Sequence, residues 1–459
     1  MKLHDRQIAV VQSPARFKVI RAGRRSGKSS VELEVMLFKA VNGRDRNIFY
    51  VCPTMTQARS IIWEALKSRL GKIGIANESR LEMKVPTTDG GTSLIKVSGW
   101  ENRENFRGMK AHHITFDELD TMKDFFIGWQ EIFRPALIDT SGTADFIGTP
   151  KKENPNLRRL EKEAGDEWEC FTFTTADNPH IPPLELIKAK EEMDAETYKQ
   201  EILAEYVDHA GSLFKYTALI DLFSNTVSKS NEKYLIVDVA DDGSDKTVFS
   251  FWNDLELYRI EQFERLNTEG IINQIREYAA EERIPYSQIA VDAIGVGAGV
   301  ASSSLLDGII GYKSSFGALR TDIDPTRLPN VHYLSHATLT SEYANLRSQC
   351  VFTLAGLVNE HKIAVKTQDV RVKEAIIEEL ALYQDASKGD GKRMATQKDD
   401  IKALLGRSPD LSDTLVMRMY FVLRHKLLPD QSERAKELAE KLNEQFSRNS
   451  ARQVLNNSR

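Results

Sequence analysis

A short run near the amino end of the chain combines the residue types that bind nucleotide phosphates. Residues 22–30 read AGRRSGKSS and lie between an apolar stretch and an amphipathic one, in the order strand, loop, helix. In such a loop glycine lets the backbone approach phosphate oxygens, lysine reaches the β- and γ-phosphates, and a hydroxyl binds Mg²⁺. The context favours this interpretation over a chance Gly-Lys-Ser sequence, although Ala22 stands where the usual pattern has glycine. The candidate nucleotide-binding residues of the loop are Arg24, Gly27, Lys28, Ser29 and Ser30.

Two carboxylates follow an apolar stretch further along the chain. Residues 113–116 read HITF, and Asp117 and Glu118 come directly after them. An aspartate at the end of a buried strand can hold Mg²⁺, and an adjacent glutamate can polarise an attacking water. Alone, an Asp-Glu pair after a strand is more often a helix cap. Together with the loop at residues 22–30, the pair predicts ATP hydrolysis.

Three further residues fit the same site, each with a simpler alternative. Gln7 could read adenine or be an ordinary surface glutamine. Thr149, after the next apolar stretch, could sense the γ-phosphate or belong to a plain turn at a strand end. Arg107 could stabilise transition-state charge as an arginine finger or be a solvated arginine. Arg24 and Arg25 compete with Arg107 for the finger role.

A second candidate site consists of aspartates that are far apart in the sequence. Asp238 lies in the apolar run YLIVDV, where a carboxylate is costly unless it is paired or bound to metal. Asp292 ends another apolar run, and Asp410 and Asp413 lie at a helix start, SPDLSD, with serine as the cap and proline in the first turn. Carboxylates from two strand ends and a helix start can bind two hard cations, which activate water for phosphodiester cleavage. Asp245 could add an outer ligand, and for Asp410 the alternative is a favourable interaction with the helix dipole.

Positive charge is concentrated at the amino end. Residues 1–30 carry eight lysines and arginines and one aspartate, a net charge of +7, while the whole chain carries −5. Such a cluster around a glycine-containing turn is typical of polyanion binding, and a solvated basic face is the alternative. A second basic stretch, residues 386–393 with Lys398 and Lys402 nearby, could contact a DNA backbone or form a mobile surface loop.

The composition excludes several classes of protein. The chain has 459 residues, of which 41% are hydrophobic and 28% charged, so wholesale disorder and fibrous structure are excluded. No run approaches the ~18 apolar residues of a membrane helix, and the first residues lack the apolar region of a secretory signal. Three scattered cysteines argue against a disulfide framework and against structural zinc. We expect a soluble intracellular protein with no membrane partner.

The pattern of apolar and polar residues predicts two α/β halves. In the first, four strands alternate with helices, which indicates a mostly parallel sheet. In the second, a hairpin, a helix and another strand indicate a mixed sheet. The predicted strands are residues 17–20, 47–52, 113–116 and 144–147, then 234–239, 247–252, 256–260 and 289–292; the predicted helices are 29–40, 56–70, 185–193, 197–206, 268–282 and 432–445.

Taken together, these residues resemble the large terminase subunit of tailed bacteriophages, an ATP-driven DNA-packaging motor with its own nuclease. The resemblance covers roughly residues 1–425 and rests on the order and spacing of six segments. These segments are AGRRSGKSS, ITFDELD, FIGTP, NPHI…YKQEILAEY, IVDVADDGSDKT and GRSPDLSDTL.

This resemblance implies a fold and a domain organisation. It implies a P-loop ATPase domain of the helicase-like type with a mostly parallel sheet, and an RNase H/RuvC-like nuclease domain with a mixed sheet. The predicted divisions are the ATPase domain at residues 1–178, a helical lid at 179–210, a linker at 211–231, the nuclease domain at 232–427 and a charged tail at 428–459.

The resemblance also implies roles for individual residues. Lys28 and Ser29 would bind phosphate and Mg²⁺, Asp117 would hold the metal, and Glu118 would be the catalytic glutamate. Arg107 matches an arginine that acts on a neighbouring subunit in some relatives. The nuclease triad would be Asp238, Asp292 and Asp413.

Cofactors and partners follow from the same resemblance. ATP and Mg²⁺ are expected at the first site, and Mg²⁺ or Mn²⁺ at a two-metal nuclease site. The expected partners are double-stranded DNA, a portal protein on a procapsid, a small terminase subunit and further copies of this chain in a pentamer, all in the host cytoplasm. The alternative is a cellular DNA repair or recombination ATPase-nuclease that has no capsid partner.

Overall fold

The computed structural model describes residues 3–152, 154–208, 211–240, 246–319, 342–387 and 391–427. The chain divides into two compact units, residues 1–210 and 211–459. Within the described ranges, no helix combines the length and the apolar character needed to cross a membrane. The predicted charged tail, the helix predicted at residues 432–445 and Asp245 lie outside the described residues.

The first unit is built on an eight-stranded sheet with the order β3-β4-β5-β2-β6-β7-β1-β8. Six neighbouring strands, β5 to β8 in that order, are parallel, and β3 and β4 add an antiparallel edge. The strands are β1 Phe17–Ala22, β2 Asn47–Cys52, β3 Ile75–Asn77, β4 Glu82–Pro86, β5 Thr92–Gly99, β6 His113–Phe116, β7 Thr143–Gly148 and β8 Trp168–Phe173. The predicted mostly parallel sheet is confirmed.

Nine α-helices accompany this sheet in the described part of the first unit. They are α1 Asp5–Gln12, α2 Lys28–Val41, α3 Met55–Ala58, α4 Glu64–Leu70, α5 Phe125–Gly128, α6 Arg134–Ala136, α7 Asn156–Glu163, α8 Pro183–Glu192 and α9 Ala195–Glu201. A π-helical turn, Arg59–Trp63, joins α3 to α4, so that the predicted helix at 56–70 is present in three pieces. Helix α9 ends before the predicted residue 206, and Ala204 has a left-handed φ of 57°.

The second unit contains a six-stranded sheet with the order β13-β12-β9-β10-β11-β14. Strand β10 is antiparallel to both β9 and β11, while β12 is parallel to β9, so the predicted mixed sheet is confirmed. The strands are β9 Lys233–Asp238, β10 Thr247–Asn253, β11 Glu256–Phe263, β12 Ile289–Asp292, β13 Ile310–Tyr312 and β14 Ala364–Val365; the helices are α10 Tyr216–Asp221, α11 Thr268–Glu282, α12 Val296–Ala301, α13 Leu346–Asn359, α14 Val370–Ala381, α15 Lys398–Leu405 and α16 Asp410–Leu427.

Both sheets bring distant residues to a common edge. The core strands β1, β6 and β7 are parallel neighbours and are buried along almost their whole length, as strands covered on both faces are. Their carboxyl ends therefore meet at one edge, where ligands bind in open α/β sheets. In the second unit, β9 and β12 are likewise parallel neighbours, and each ends in an aspartate, Asp238 and Asp292.

Two candidate active sites

The predicted phosphate-binding loop connects β1 to α2. Gly27 has a φ of 91°, and a Cβ there would lie 2.5 Å from the amide nitrogen of Gln7, so this position requires glycine. Helix α2 begins at the next residue, Lys28, and its amino end points positive charge toward the loop. The Ser30 N–H donates to the Gly27 carbonyl within the first turn. The local geometry is that of a loop shaped to hold an anion at a helix start.

The structure brings five predicted residues of the first site together. The Lys28 ammonium lies 2.8 Å from a Glu118 oxygen and donates to the Thr149 hydroxyl at 3.4 Å. The Ser29 hydroxyl donates to Asp117 Oδ2 at 3.1 Å. A hydroxyl and a carboxylate in contact are oxygen donors of the kind that Mg²⁺ prefers, so Ser29 and Asp117 fit the expected metal.

Asp117 is fully buried and is held by three donors. The Glu118 N–H donates to Oδ1 at 2.8 Å, while the Ser29 and Tyr50 hydroxyls both donate to Oδ2. Burial and the nearby Glu118 raise the pKa of Asp117, whereas Lys28 and the two hydroxyl donors lower it. Glu118 itself has a left-handed φ of 56°, a conformation that non-glycine residues rarely adopt.

Tyr50 is a site residue that was not predicted from the sequence. It lies in the middle of β2, directly across from Thr115 on β6. Burial raises the pKa of the Tyr50 hydroxyl, which therefore stays protonated and donates to Asp117. The only sequence signal is a tyrosine in an otherwise apolar strand, NIFYVC, and its meaning depends on knowing that β2 and β6 are neighbours.

Gln7 supports the loop with both ends of its side-chain amide. Its Nε2 donates to the Gly27 carbonyl at 2.9 Å, and its Oε1 accepts from the His4 N–H at 3.1 Å. A cavity of about 520 Å³ lies beside these residues and is lined by His4, Arg6 and His180 among others. Adenine recognition by Gln7 stays a prediction.

Arg24 is tied to the helical segment predicted as a lid. Its guanidinium pairs with Glu201 at the end of α9, and the Lys151 ammonium pairs with the same carboxylate. The Thr175 hydroxyl also donates to the Arg24 carbonyl at 2.7 Å. Although burial acts to raise it, these two cations hold the pKa of Glu201 below its usual range. Arg24 and Lys28 thus pair with different carboxylates, Glu201 and Glu118.

The second site is a cavity lined by the predicted aspartates of the second unit. The cavity has a volume of about 270 Å³, and Asp238, Asp292, Asp410 and Asp413 all line it. Asp238 and Asp413 are buried. Helix α16 begins at Asp410, so Pro409 precedes the helix rather than lying in its first turn. The Asp410 Oδ2 accepts from the Lys246 N–H at 3.0 Å, so Asp410 joins the start of α16 to the residue that precedes β10.

Three basic side chains that were not predicted to lie in this cavity also line it, namely Arg347, Lys398 and Lys402. The Lys398 ammonium lies 2.6 Å from Asp413 Oδ2, and the Arg347 guanidinium lies 3.7 Å from Asp413 Oδ1. From the sequence, Lys398 was grouped with a possible DNA-contacting stretch. Its position beside Asp413 could not be read from sequence because it depends on how α15 packs near the strand ends.

The carboxylates that line this cavity repel one another, so added positive charge would stabilise their ionised forms. Burial raises the pKa of Asp238 strongly; Lys398 opposes this, while Asp413, Asp292 and Asp410 raise it further. Several carboxylate oxygens around one cavity form an all-oxygen donor set, which suits hard divalent cations. The residues present therefore fit the expected metals.

Comparisons with known proteins agree with the resemblance. Residues 19–220 match the family model described as terminase large subunit, T4likevirus-type, N-terminal. The large terminase subunits of Thermus virus P23-45 and Thermus phage G20c are each 23% identical over 365 residues, which cover 67% of this chain and 72% of theirs. A solved structure of the large terminase from a thermophilic bacteriophage covers 92% of this chain and 100% of its own, at 14% identity and a TM-score of 0.41. The similarity to phage large terminase subunits is confirmed.

Proposed function

From its similarity to phage large terminase subunits, we propose that this chain is a viral DNA-packaging motor subunit. It hydrolyses ATP to move double-stranded DNA into a procapsid and cuts concatemeric DNA with a metal-dependent endonuclease. The observation that carries the proposal is the contact set of Lys28, Ser29, Asp117 and Glu118 in one unit, in a chain whose other unit holds a cavity of four aspartates.

In the ATPase site, the position of each residue supports a particular role in ATP hydrolysis. Lys28 exchanges the Glu118 carboxylate for the β- and γ-phosphates, because phosphate carries more charge than a single carboxylate. Glu118, released from Lys28, orients the attacking water and takes its proton. Ser29 and Asp117 would hold Mg²⁺, which neutralises charge on the phosphates when bound.

In the nuclease site, the aspartates of β9, β12 and α16 act as the metal-holding set. Asp238, Asp292 and Asp413 would hold Mg²⁺ or Mn²⁺, which supply an activated water and stabilise the leaving oxygen. Lys398 pairs directly with Asp413 and would neutralise part of the charge that a DNA phosphate brings into the cavity.

The proposed partners are those of a packaging motor. They are double-stranded DNA, a portal on a procapsid, a small terminase subunit and four further copies of this chain in a ring, in the cytoplasm of the host. The alternative is a DNA repair or recombination ATPase-nuclease, which needs the same two sites and no capsid.

Protection of DNA inside procapsids tests the proposed function. Purified protein, procapsids and ATP are expected to render a linear DNA resistant to added nuclease, because packaged DNA is physically enclosed. The same reaction with ADP, or without procapsids, is the matched control and should leave the DNA fully digestible. An ATP-hydrolysing protein that never protects DNA in this assay would favour the repair alternative.

Arg107 is proposed to act on the ATP of a neighbouring subunit. It follows the turn Trp100–Phe106, its side chain is half exposed, and it pairs with Glu104 and Glu131 of the same unit. We expect Arg107→Ala to lower the ATPase rate of the assembled motor by about 10³-fold, the usual contribution of an arginine finger. The low rate of the isolated subunit should change little.

Mixing two inactive variants checks the trans role of Arg107. Subunits with Arg107→Ala keep Glu118, and subunits with Glu118→Ala keep Arg107, so mixed interfaces contain one complete site. ATPase activity above both parents is expected in the mixture. Arg44→Ala, which removes an exposed arginine paired with Asp89, is the matched control and should behave like the wild type. If no mixture exceeds its parents, Arg24 or Arg25 becomes the better candidate.

A further inference from the structure

A buried polar cluster lies behind the ATPase site, between helix α2 and the sheet. It consists of Glu32 on α2, His113 and Thr115 on β6, Asp145 on β7 and Lys18 on β1. All five are buried, with Lys18 the most exposed at 4%. Ionisable groups at this depth are costly unless they are paired. None of the steps proposed above uses this cluster.

The cluster contains a chain of hydrogen bonds in which each group donates to the next, from Thr143 through His113 and Thr115 to Glu32. Burial and the nearby Lys39 and Lys18 lower the pKa of His113, so its ring is neutral and has one donor and one acceptor nitrogen. The Thr115 hydroxyl donates to Glu32 Oε2 at 3.0 Å, so it accepts from His113 Nε2 at 3.1 Å. His113 Nδ1 then accepts from the Thr143 hydroxyl at 2.8 Å.

A proton on Glu32 would extend this chain of hydrogen bonds to Asp145. With both carboxyl groups ionised, Glu32 Oε1 and both oxygens of Asp145 are buried without a hydrogen-bond partner. The side-chain ligand atoms of Glu32, His113 and Asp145 all lie within 4.8 Å of one another. A proton on Glu32 Oε1 gives it a donor that faces Asp145, whose charge is balanced by the Lys18 ammonium at 3.7 Å.

The groups facing Glu32 favour this protonated state. Burial raises the pKa of Glu32 well above its usual value, and Asp145 and Asp117 raise it further, against Lys18 and the Thr115 hydroxyl. Burial raises the pKa of Asp145 as well, but Lys18 and Lys39, the other cation near the cluster, both lower it. Neutral Glu32, ionised Asp145 and ionised Lys18 together carry no net charge.

A metal ion accounts less well for the same residues. Glu32, His113 and Asp145 are ligand types that Zn²⁺ accepts. However, His113 Nε2 is already engaged with Thr115, and the Lys18 ammonium stands beside Asp145 where an ion would need the carboxylate. A divalent ion would also leave the buried cluster with a net positive charge.

We propose that Glu32 is a positioning residue for the ATPase site, and that it acts as a neutral carboxyl group between Thr115 and Asp145. It lies on α2 one turn after Lys28 and Ser29, and Thr115 lies on β6 two residues before Asp117, which directly follows that strand. Its hydrogen bond with Thr115 therefore fixes the helix that carries Ser29 against the strand that leads into Asp117, and its hydrogen bond to Asp145 fixes the same helix against β7. The inference rests on the proposed ATPase function.

Substitutions of Glu32 test this role through the Mg²⁺ dependence of ATP hydrolysis. Glutamine keeps a neutral donor and acceptor, so Glu32→Gln is expected to retain the wild-type rate and Mg²⁺ half-saturation within about twofold. Glu32→Ala releases α2 and should lower kcat by about 10- to 100-fold, as small misplacements of catalytic groups do, and raise the Mg²⁺ half-saturation. Glu34→Gln removes a partly buried carboxylate of the same helix that pairs with Arg69 outside the cluster, and it is the matched control.

Two further measurements keep the test decisive. Thr115→Val removes the donor to Glu32 while preserving shape, and it should raise the Mg²⁺ half-saturation even if Glu32→Ala fails to fold. A Glu32→Gln protein as inactive as Glu32→Ala would overturn the neutral state. An ion bound at one per chain in the wild-type protein purified without added metal, and absent from Glu32→Gln, would show a metal site instead.

Thermal unfolding separates this inference from the ATPase assignment. A carboxyl group that is protonated in the folded state and ionised in the unfolded chain makes stability fall as pH rises above its unfolded pKa of about 4.3. Glutamine has no such proton, so the Tm of Glu32→Gln should rise relative to wild type between about pH 5 and pH 8. Parallel curves for the two proteins would contradict the proton on Glu32, whether or not the protein hydrolyses ATP.

Discussion

Replacing Lys28 with alanine is expected to abolish ATP hydrolysis, and with it DNA packaging. In the structure the Lys28 ammonium contacts both Glu118 and Thr149, so it is the cation placed where the terminal phosphates would lie. Its loss removes the charge that stabilises the transferred phosphoryl group. Removing one such stabilising group usually lowers the rate by about 10²-fold or more. The measurement is phosphate release by the purified protein at saturating Mg²⁺ and ATP.

Two comparisons make the Lys28 result specific. Lys72→Ala removes an exposed lysine of the same unit and should leave phosphate release unchanged. DNA cleavage by Lys28→Ala should persist, because the aspartate cavity belongs to the other compact unit. Hydrolysis near the wild-type rate in Lys28→Ala would mean that the loop at residues 22–30 does not bind the phosphates.

Replacing Asp238 with alanine is expected to abolish DNA cleavage while ATP hydrolysis survives. Asp238 is buried at the end of β9, and its pKa responds to Asp413, Asp292 and Asp410, so it stands at the centre of the carboxylate set. Its removal takes away a ligand that both cations would share, and in-line attack on the phosphodiester then loses its positioned water. Conversion of supercoiled DNA to cut forms with Mn²⁺ measures the loss.

The two aspartates of helix α16 provide an internal control for the nuclease site. Asp413 is buried and paired with Lys398, whereas Asp410 accepts from a backbone N–H and lies at the helix start. Asp413→Asn should therefore abolish cleavage. Asp410→Asn should leave it largely intact and lower stability by roughly 0.3–1 kcal/mol through lost interaction with the helix dipole. The reverse ranking would mean that Asp410 is the metal ligand.

Residues in continuous motifs were predictable from sequence, because the motif itself fixes their geometry. Lys28 and Ser29 follow a glycine at a helix start, and Asp117 follows a buried strand, so each is placed by its immediate neighbours. The strand ends at Asp238 and Asp292 were predictable for the same reason. The mostly parallel sheet of the first unit and the mixed sheet of the second also followed from local patterns.

Residues whose role depends on strand order could not be found in this way. Tyr50 reaches Asp117 only because β2 lies beside β6, although 66 residues separate the start of one strand from the start of the other. Glu32 reads as an ordinary polar position of α2 until β6 and β7 are placed beneath it. Lys398 was predicted only as a neighbour of a basic stretch that could contact DNA, and the packing of α15 brings it to Asp413.

The shared carboxylate of Glu201 has a mechanical consequence. Arg24 comes from the loop before α2, and Lys151 from the loop after Thr149, so one anion at the end of α9 ties together two loops of the proposed nucleotide site. If Arg24 turns toward a bound phosphate, Glu201 loses one of its two ion pairs and keeps the one with Lys151. In the proposed motor, nucleotide binding would thereby change how the end of a helix is tethered, a first step by which ATP hydrolysis would do work on DNA.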